Sequence, residues 1–398
     1  MIAQLTDPMM NRLKPPAYRV RIAVMVALAG AATLVQTSVS AQATPGDGRP
    51  VTLGVAYETY RFAEPDAANL ESLTLATSPF TARTTLLDRA SIDVRGAFAR
   101  AELQEADGTT STLAGLTDTE IAVSVGFEIS GGMATVTGIA LAPTGKTGHD
   151  ADESRIAGLI ASELFPFRIT NWGTGGGAGV SANFARPLSD GANIGIGVGY
   201  LAAREYEPLS VGGAGFAYRP GDQVQLRLAV DRNLGTSAKA SVALVFQRHQ
   251  EDQLDGANLY LAGNRFQSIA SYAFAVGPQS SAIVYAGGLH SADGVALQPL
   301  AHDHSSRTLF LLGGGLRVPF AGMVALPSVD ARLFRRGSGS GQGYLGGVGA
   351  SLEIPAAGSI VAPNVRLRVG NLVVDESRES GITAADLGVT IRIGSPDR

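Results

Sequence analysis

Few residues of this chain stand at spacings that do chemistry. The nearest approach is Thr144-Gly145-Lys146-Thr147, which matches the tail of a phosphate-binding loop, G-x-x-x-x-G-K-[ST]. That loop needs a first glycine at position 140, where this chain has Ala140, so a nucleotide site is set aside. Gly195, Gly197 and Gly199 alternate at period two and read as a strand wall, not a dinucleotide turn. His302-Asp303-His304 could offer two imidazoles to a metal ion, but no third ligand lies nearby in the sequence, and a solvated loop is the simpler reading. Five His and scattered Ser give no triad, and with no Cys there is no thiolate. The expectation is therefore no cofactor, no metal and no catalytic residue.

The remaining candidates are charges set singly into apolar runs. Arg366 and Arg368 alternate with Val365, Leu367 and Val369, and Arg392 with Leu387, Val389, Ile391 and Ile393. Val224, Leu226, Leu228 and Val230 likewise oppose Gln223, Gln225, Arg227 and Asp231. Period-two alternation places the two sets on opposite faces of a strand. Similar runs recur from Val51 to the C-terminus, each about ten residues long and stopped by Gly, Pro, Asp or Ser. Sixteen are expected: 51–62, 71–86, 90–103, 117–129, 133–142, 167–187, 193–203, 222–232, 238–247, 265–276, 281–290, 307–318, 323–335, 343–354, 360–374 and 384–393. Losing 71–86, which Pro79 interrupts, together with a neighbour would leave fourteen. The connections alternate long and short from residue 130 onward, as they do where one rim carries tight turns and the other longer loops.

The N-terminus predicts export. Arg12, Lys14, Arg19 and Arg21 precede an uncharged apolar stretch, Ile22 to Val35, and small residues around Ala41 and Ala43 suit cleavage. Residues 1–43 are expected to be a signal peptide and 44–398 the mature domain, with a membrane-anchor helix as the alternative. The charged lead is long for a signal, so Met9 and Met10 are candidate starts. Beyond it no uncharged run approaches the roughly 20 residues of a spanning helix. Gly supplies 50 of 398 residues against a usual share of about 7%, and charged residues only 17%. A net charge of -4 gives no case for nucleic acid. The fold class expected is all-β: a transmembrane antiparallel β-barrel of the Gram-negative-type outer membrane, with membrane lipid and the outer-membrane insertion machinery as partners. A soluble β-sandwich is the rival, but its strands are typically shorter.

Three segments carry a resemblance. Leu87-Asp88-Arg89, Gly115-Leu116-Thr117-Asp118-Thr119 and Leu141-Ala142-Pro143-Thr144-Gly145 resemble the "L-x-D-R", "G-L-x-D-T" and "L-x-P-T-G" signatures of the "MetA pathway of phenol degradation" family of outer-membrane proteins. Thr117 stands where Gly is usual, and Ala142 precedes Pro143. That family is broadly similar to fatty-acid and aromatic-hydrocarbon channels, so the resemblance implies a barrel and the passage of small apolar compounds. The signatures are those of a barrel rim, not of a catalytic centre. The chain ends Ile393-Gly394-Ser395-Pro396-Asp397-Arg398, whereas the assembly signal of such proteins usually ends on an aromatic residue.

An arginine facing lipid at mid-membrane costs about 2–4 kcal/mol. Arg227, Arg317, Arg332, Arg366, Arg368 and Arg392 are therefore expected in the lumen, with Asp231, Asp330 and Glu353. Acids recurring on the same face predict an ion-pair network filling a narrow bore; an electropositive path for anions is the alternative. The long connection 143–166 predicts a short helix capped by Asp152, with Ile156, Leu159, Ile160 and Leu164 on one side and Glu153 and Arg155 opposite. It either enters the barrel mouth and restricts passage or lies on the outer rim. The function expected is passive passage of small molecules, the solute unspecified. The alternatives are a structural or adhesive barrel with a blocked lumen, or a barrel enzyme.

Overall fold

The computed structural model describes residues 51–394 except 88, 189–190, 209, 212–213, 299–303, 338–340 and 376. The expected signal segment 1–43 lies outside the described residues, as do His302 and Asp303.

Sixteen antiparallel strands close into one barrel. The first eight are β1 (Val51–Phe62), β2 (Ser72–Leu87), β3 (Ala90–Gln104), β4 (Thr110–Leu116 continued by Thr119–Ile129), β5 (Gly132–Ala142), β6 (Gly177–Pro187), β7 (Ala192–Ala203) and β8 (Gln223–Leu234). The second eight are β9 (Ala238–His249), β10 (Arg265–Ala275), β11 (Ser281–Ser291), β12 (Arg307–Phe320), β13 (Met323–Arg336), β14 (Gln342–Ala356), β15 (Ser359–Asp375) and β16 (Arg378–Ile393). Each strand pairs with the next, and β16 returns to β1 through twelve residue pairs from Val51–Ile393 to Phe62–Ile382. None of these sixteen strands is left with an open edge, the condition hydrocarbon imposes on a sheet.

Turn chemistry sets the two rims. Ser130-Gly131, Ala321-Gly322 and Ala357-Gly358 each put two consecutive residues at positive φ. This is the type I′ geometry whose twist matches that of the paired strands. These tight turns lie at the rim shared with Val51 and Ile393, and the long connections lie at the other, so the first rim is periplasmic and the second external.

The faces divide by parity. Leu53, Val55, Leu226, Leu228, Val230, Leu367, Val369, Leu387 and Val389 are exposed on the outer wall. Charged outward residues sit near the strand ends: Arg100, Glu102 and Arg248 externally, Arg186 and Arg232 on the periplasmic side. An apolar band bounded by charges is the surface of a barrel spanning the bacterial outer membrane. Among the described residues no helix is long and apolar enough to cross a membrane.

Four sequence expectations are corrected. Strand 117–129 begins at Thr110 and is interrupted at Thr117-Asp118, because Thr117 turns its hydroxyl to accept from the Ala97 N–H (2.9 Å). Strand 167–187 begins only at Gly177: Phe167, Ile169 and Trp172 are buried inside the barrel instead of joining its wall. The segment 249–264, expected as the connection between strands 238–247 and 265–276, forms a hairpin, Glu251–Leu254 with Ala257–Leu261, in a four-stranded external sheet around Tyr218, Leu259 and Tyr260. The fourth correction, the residue that caps the helix, is described with the site below. Strand 71–86 is present in spite of Pro79. Pro79 faces Gly54 across β1, where an added Cβ would lie 3.2 Å from the proline ring, and the β1–β2 ladder is interrupted there.

A stoppered lumen as the candidate functional site

Burial rises along the inner wall from the periplasmic rim outward. On β3 the inward residues Ser91, Asp93 and Arg95 are partly exposed, while Ala97, Ala99, Ala101 and Leu103 are buried. On β8 the order reverses with strand direction: Gln223 and Gln225 are buried, Arg227 and Ala229 are exposed. The periplasmic half of the bore is thus wet and the external half filled.

The connection between β5 and β6 does the filling. It contains α1 (Ala151–Ile160). Asp150, not Asp152, is the cap: its backbone is extended, its Oδ1 accepts from Glu153 N (2.8 Å), and Glu153 Oε2 accepts from Asp150 N (3.3 Å). Only a residue directly preceding the first helical turn can reach the free N–H groups in this reciprocal way. Asp152 lies exposed inside the first turn, adding negative charge at the positive end of the helix dipole. Ile156 and Ile160 are 0% exposed and Leu164, beyond the helix, 2%. With Phe165, Phe167, Ile169 and Trp172 they pack on the inward residues Leu73, Leu103, Leu309, Phe334, Leu345 and Ile382. Tyr60 meets Phe165 and Phe167 edge-on at centroid separations of 5.1 and 4.9 Å. Gly343 leaves room for Leu164, whose methyl would lie 3.1 Å from an added Cβ.

Polar contacts pin the stopper around its circumference. Arg155 pairs with Glu105 and Glu163 with Arg265 of β10 (3.2 Å), while Lys146 pairs with Glu153 within the loop itself. Arg168 donates from its backbone N to Glu58 (3.1 Å) and from Nη2 to Asn364 (2.9 Å) and Asp386 (3.1 Å). The neck is tied where β4 breaks. Asp118 Oδ1 accepts from Gly145 N (3.0 Å), while Oδ2 accepts from the N and Oγ1 of Thr174 (both 2.7 Å), so one carboxylate holds both ends of the loop. Thr144 Oγ1 donates to Thr117 O (3.0 Å) and lies 2.8 Å from Thr119 Oγ1. The second and third signature segments of the sequence therefore meet at this neck.

All nine expected lumen residues occupy inward register positions. Asp330 lies 3.4 Å from Arg366 Nε and 3.8 Å from Arg368 Nε. Those side chains lie across Gly347 and Gly349 of β14, where an added Cβ would come within 2.8 Å of Arg368 Cγ and 2.9 Å of Arg366 Nε. Arg332 is one inward step further out on β13. Glu353 gathers Arg392 (2.6 Å) and Arg317 (3.4 Å) near the periplasmic rim. Asp231 binds Lys239 (2.8 Å) and Asn193 (3.1 Å). Arg227 Nε donates to the side-chain amide oxygen Oε1 of Gln225 (2.7 Å) and has no carboxylate within 4.0 Å among the described residues. Among those residues no group of three or more His, Cys, Asp or Glu could hold a metal. His304 pairs its backbone with Gly294 and sets its ring edge-on to Tyr260.

Sequence reasoning missed Asp118, Glu163, Arg168 and Trp172. Their partners lie up to 218 residues away along the chain, and only the apolar content of 164–172 marked that segment as buried.

No known family profile and no curated protein matches this chain. Solved structures resemble it at low identity. A bacterial polysaccharide outer-membrane secretin has TM-score 0.42 and 11% identity, covering 87% of this chain and 99% of its own. OccK11 (OpdR) of Pseudomonas aeruginosa has TM-score 0.44 and 9% identity over 86% and 94%. The COG4313 outer membrane channel from Pseudomonas putida F1 has TM-score 0.36 and 11% identity over 87% and 98%.

Proposed function

We propose that this outer-membrane barrel passes small solutes passively, through a bore that the 143–176 loop narrows at its external end. Small apolar or aromatic compounds are the solute class implied by the family resemblance. The contrast along the inner wall supports the reading. A barrel serving only as a scaffold can fill its bore with wall side chains. Here the inward positions Gly195 and Gly199 of β7 leave space, since an added Cβ at either would meet nothing closer than 3.5 Å, and closure is delegated to a loop held by separable contacts. Deleting Asp150–Glu163 tests it: single-channel conductance should rise several-fold, and unchanged conductance would refute a restricting role for the loop.

A second reading is a structural barrel with a blocked lumen, favoured by the dryness of the stopper core, where Ile156 and Ile160 are fully buried. Liposome swelling separates the two. Failure of both the wild type and the loop deletion to admit small sugars would favour the blocked barrel.

A further inference from the structure

We infer that the inner wall of β5–β8, just below the stopper, is a binding subsite for a compact apolar monoanion, a carboxylate carried on a hydrocarbon body. This rests on the channel reading above and gives it a solute class. A pocket opens there between Ile139, Leu141 and Leu201 on its apolar side and Gln223, Gln225 and Arg227 on its polar side. Its floor is open because Gly199 carries no side chain; an added Cβ would meet only ordinary contacts, Ser181 Cβ at 3.5 Å and Gln225 Cβ at 4.0 Å. A second hollow continues it toward the external rim past Thr174 and again meets Gln223.

Two features point to an occupant. Gln223 is only 3% exposed, yet neither its amide oxygen nor its amide nitrogen has a hydrogen-bond partner. Buried polar groups are normally satisfied, so an idle donor and acceptor side by side mark a place where something else binds. The second feature is charge. Glu120, the carboxylate lining the pocket, is held by Arg95 at 2.6 Å, which leaves Arg227 as the uncompensated charge. Asp222, adjacent in sequence, faces away and is taken by Tyr200 (2.5 Å) and Arg219 (3.2 Å). A guanidinium without a carboxylate, beside a free amide and an aliphatic wall, suits an anion with an apolar body. A neutral hydrocarbon would leave Arg227 and Gln223 unused, and a bare small anion would leave the aliphatic wall wet.

Benzoate is the probe, with benzyl alcohol as its neutral counterpart and acetate as the anion lacking a body. Binding to the detergent-solubilised full barrel is measured by calorimetry, and interruption of the KCl current in planar bilayers is recorded in parallel. Benzoate should bind about tenfold more tightly than either comparator, a margin typical of a charged hydrogen bond. Arg227→Gln should remove that margin, Gln223→Leu should reduce it, and Gly199→Val should weaken benzoate by filling the floor. Each variant must keep the heat-dependent electrophoretic mobility of a folded barrel, and Arg186→Gln on the outer wall serves as control. Equal binding of benzoate and benzyl alcohol, or benzoate affinity unaltered in folded Arg227→Gln, overturns the subsite. Absence of any current while benzoate still binds at Arg227 overturns the channel reading instead, so the two failures are distinguishable.

Discussion

At the scale of single residues, the stopper depends on carboxylates accepting from more than one donor. Asp118 accepts three hydrogen bonds from the two ends of the loop. Bonds to a charged acceptor contribute about 1.5–3 kcal/mol each and are not additive. Asp118→Ala should therefore loosen the neck by about 3 kcal/mol and raise the open probability in single-channel recordings, with the barrel itself intact. Recordings indistinguishable from wild type would show that the neck is held by packing alone. A second carboxylate, Asp252 of the external hairpin, behaves differently. Burial raises its pKa from 3.8 to about 6, outweighing the opposing pull of the Tyr218 hydroxyl and the Gly221 N–H, both at 2.7 Å. The folded-state value lies above the unfolded one, so proton binding favours the folded rim. The hairpin is most stable below about pH 4, loses stability as pH rises through about 6, and is level above that. The span is of order 3 kcal/mol. Hydrogen exchange of Ala257–Leu261, corrected for intrinsic rate, should show this slope, and Asp252→Asn should flatten it; identical slopes in both proteins would contradict the assignment.

At the scale of elements, α1 and the chain after it are a small core carried into the barrel. Breaking the Glu163–Arg265 pair should cost about 3–5 kcal/mol of docking, because both charges are buried, each 10% exposed or less. Glu163→Ala should accordingly make the 143–176 segment accessible to limited proteolysis while the wall resists; protection equal to wild type would argue that the aromatic packing around Tyr60 suffices. This element also shows where the sequence was legible. Alternation at period two revealed the wall, including β2 with its Pro79, because a one-sided lipid environment writes directly into residue parity. The helix was visible as a 3.6-residue period through Ile156 and Ile160. The stretch after it reads as strand in the sequence because Phe167, Ile169 and Gly-rich 173–179 also alternate, and a segment buried on all sides has no face to distinguish. In the sequence Asp152 reads as the cap because it opens the acidic turn. The reciprocal Asp150–Glu153 pair, an acidic residue followed three later by Glu, was present in the sequence as the better signal.

At the scale of the whole molecule, closure is the decisive property. The seam between β16 and β1 joins the two ends of the described chain through twelve residue pairs. Removing β16 exposes one edge on β1 and another on β15, and hydrocarbon penalises every unpaired backbone group. A chain truncated before Ile382 should lose the compact, heat-modifiable electrophoretic band altogether; retention of that band would mean that the remaining strands close without it. The inside–outside division makes a matched pair of tests. Leu367→Arg, on the lipid face, should lower unfolding stability by about 2–4 kcal/mol. Its neighbour Arg366→Leu, directed at Asp330 and Ser328, should alter the interior charge pattern instead.

The chain has a single tryptophan, Trp172, and it lies within the stopper, 1% exposed, with its indole N–H 3.4 Å from the Ala99 carbonyl oxygen. The wall strands carry no tryptophan, so this one indole singles out the loop. Selectively excited emission from this one indole reports the stopper's surroundings: blue and shielded from iodide when seated, red and quenchable when displaced. The opening proposed above can therefore be tested in vesicles without attaching a dye.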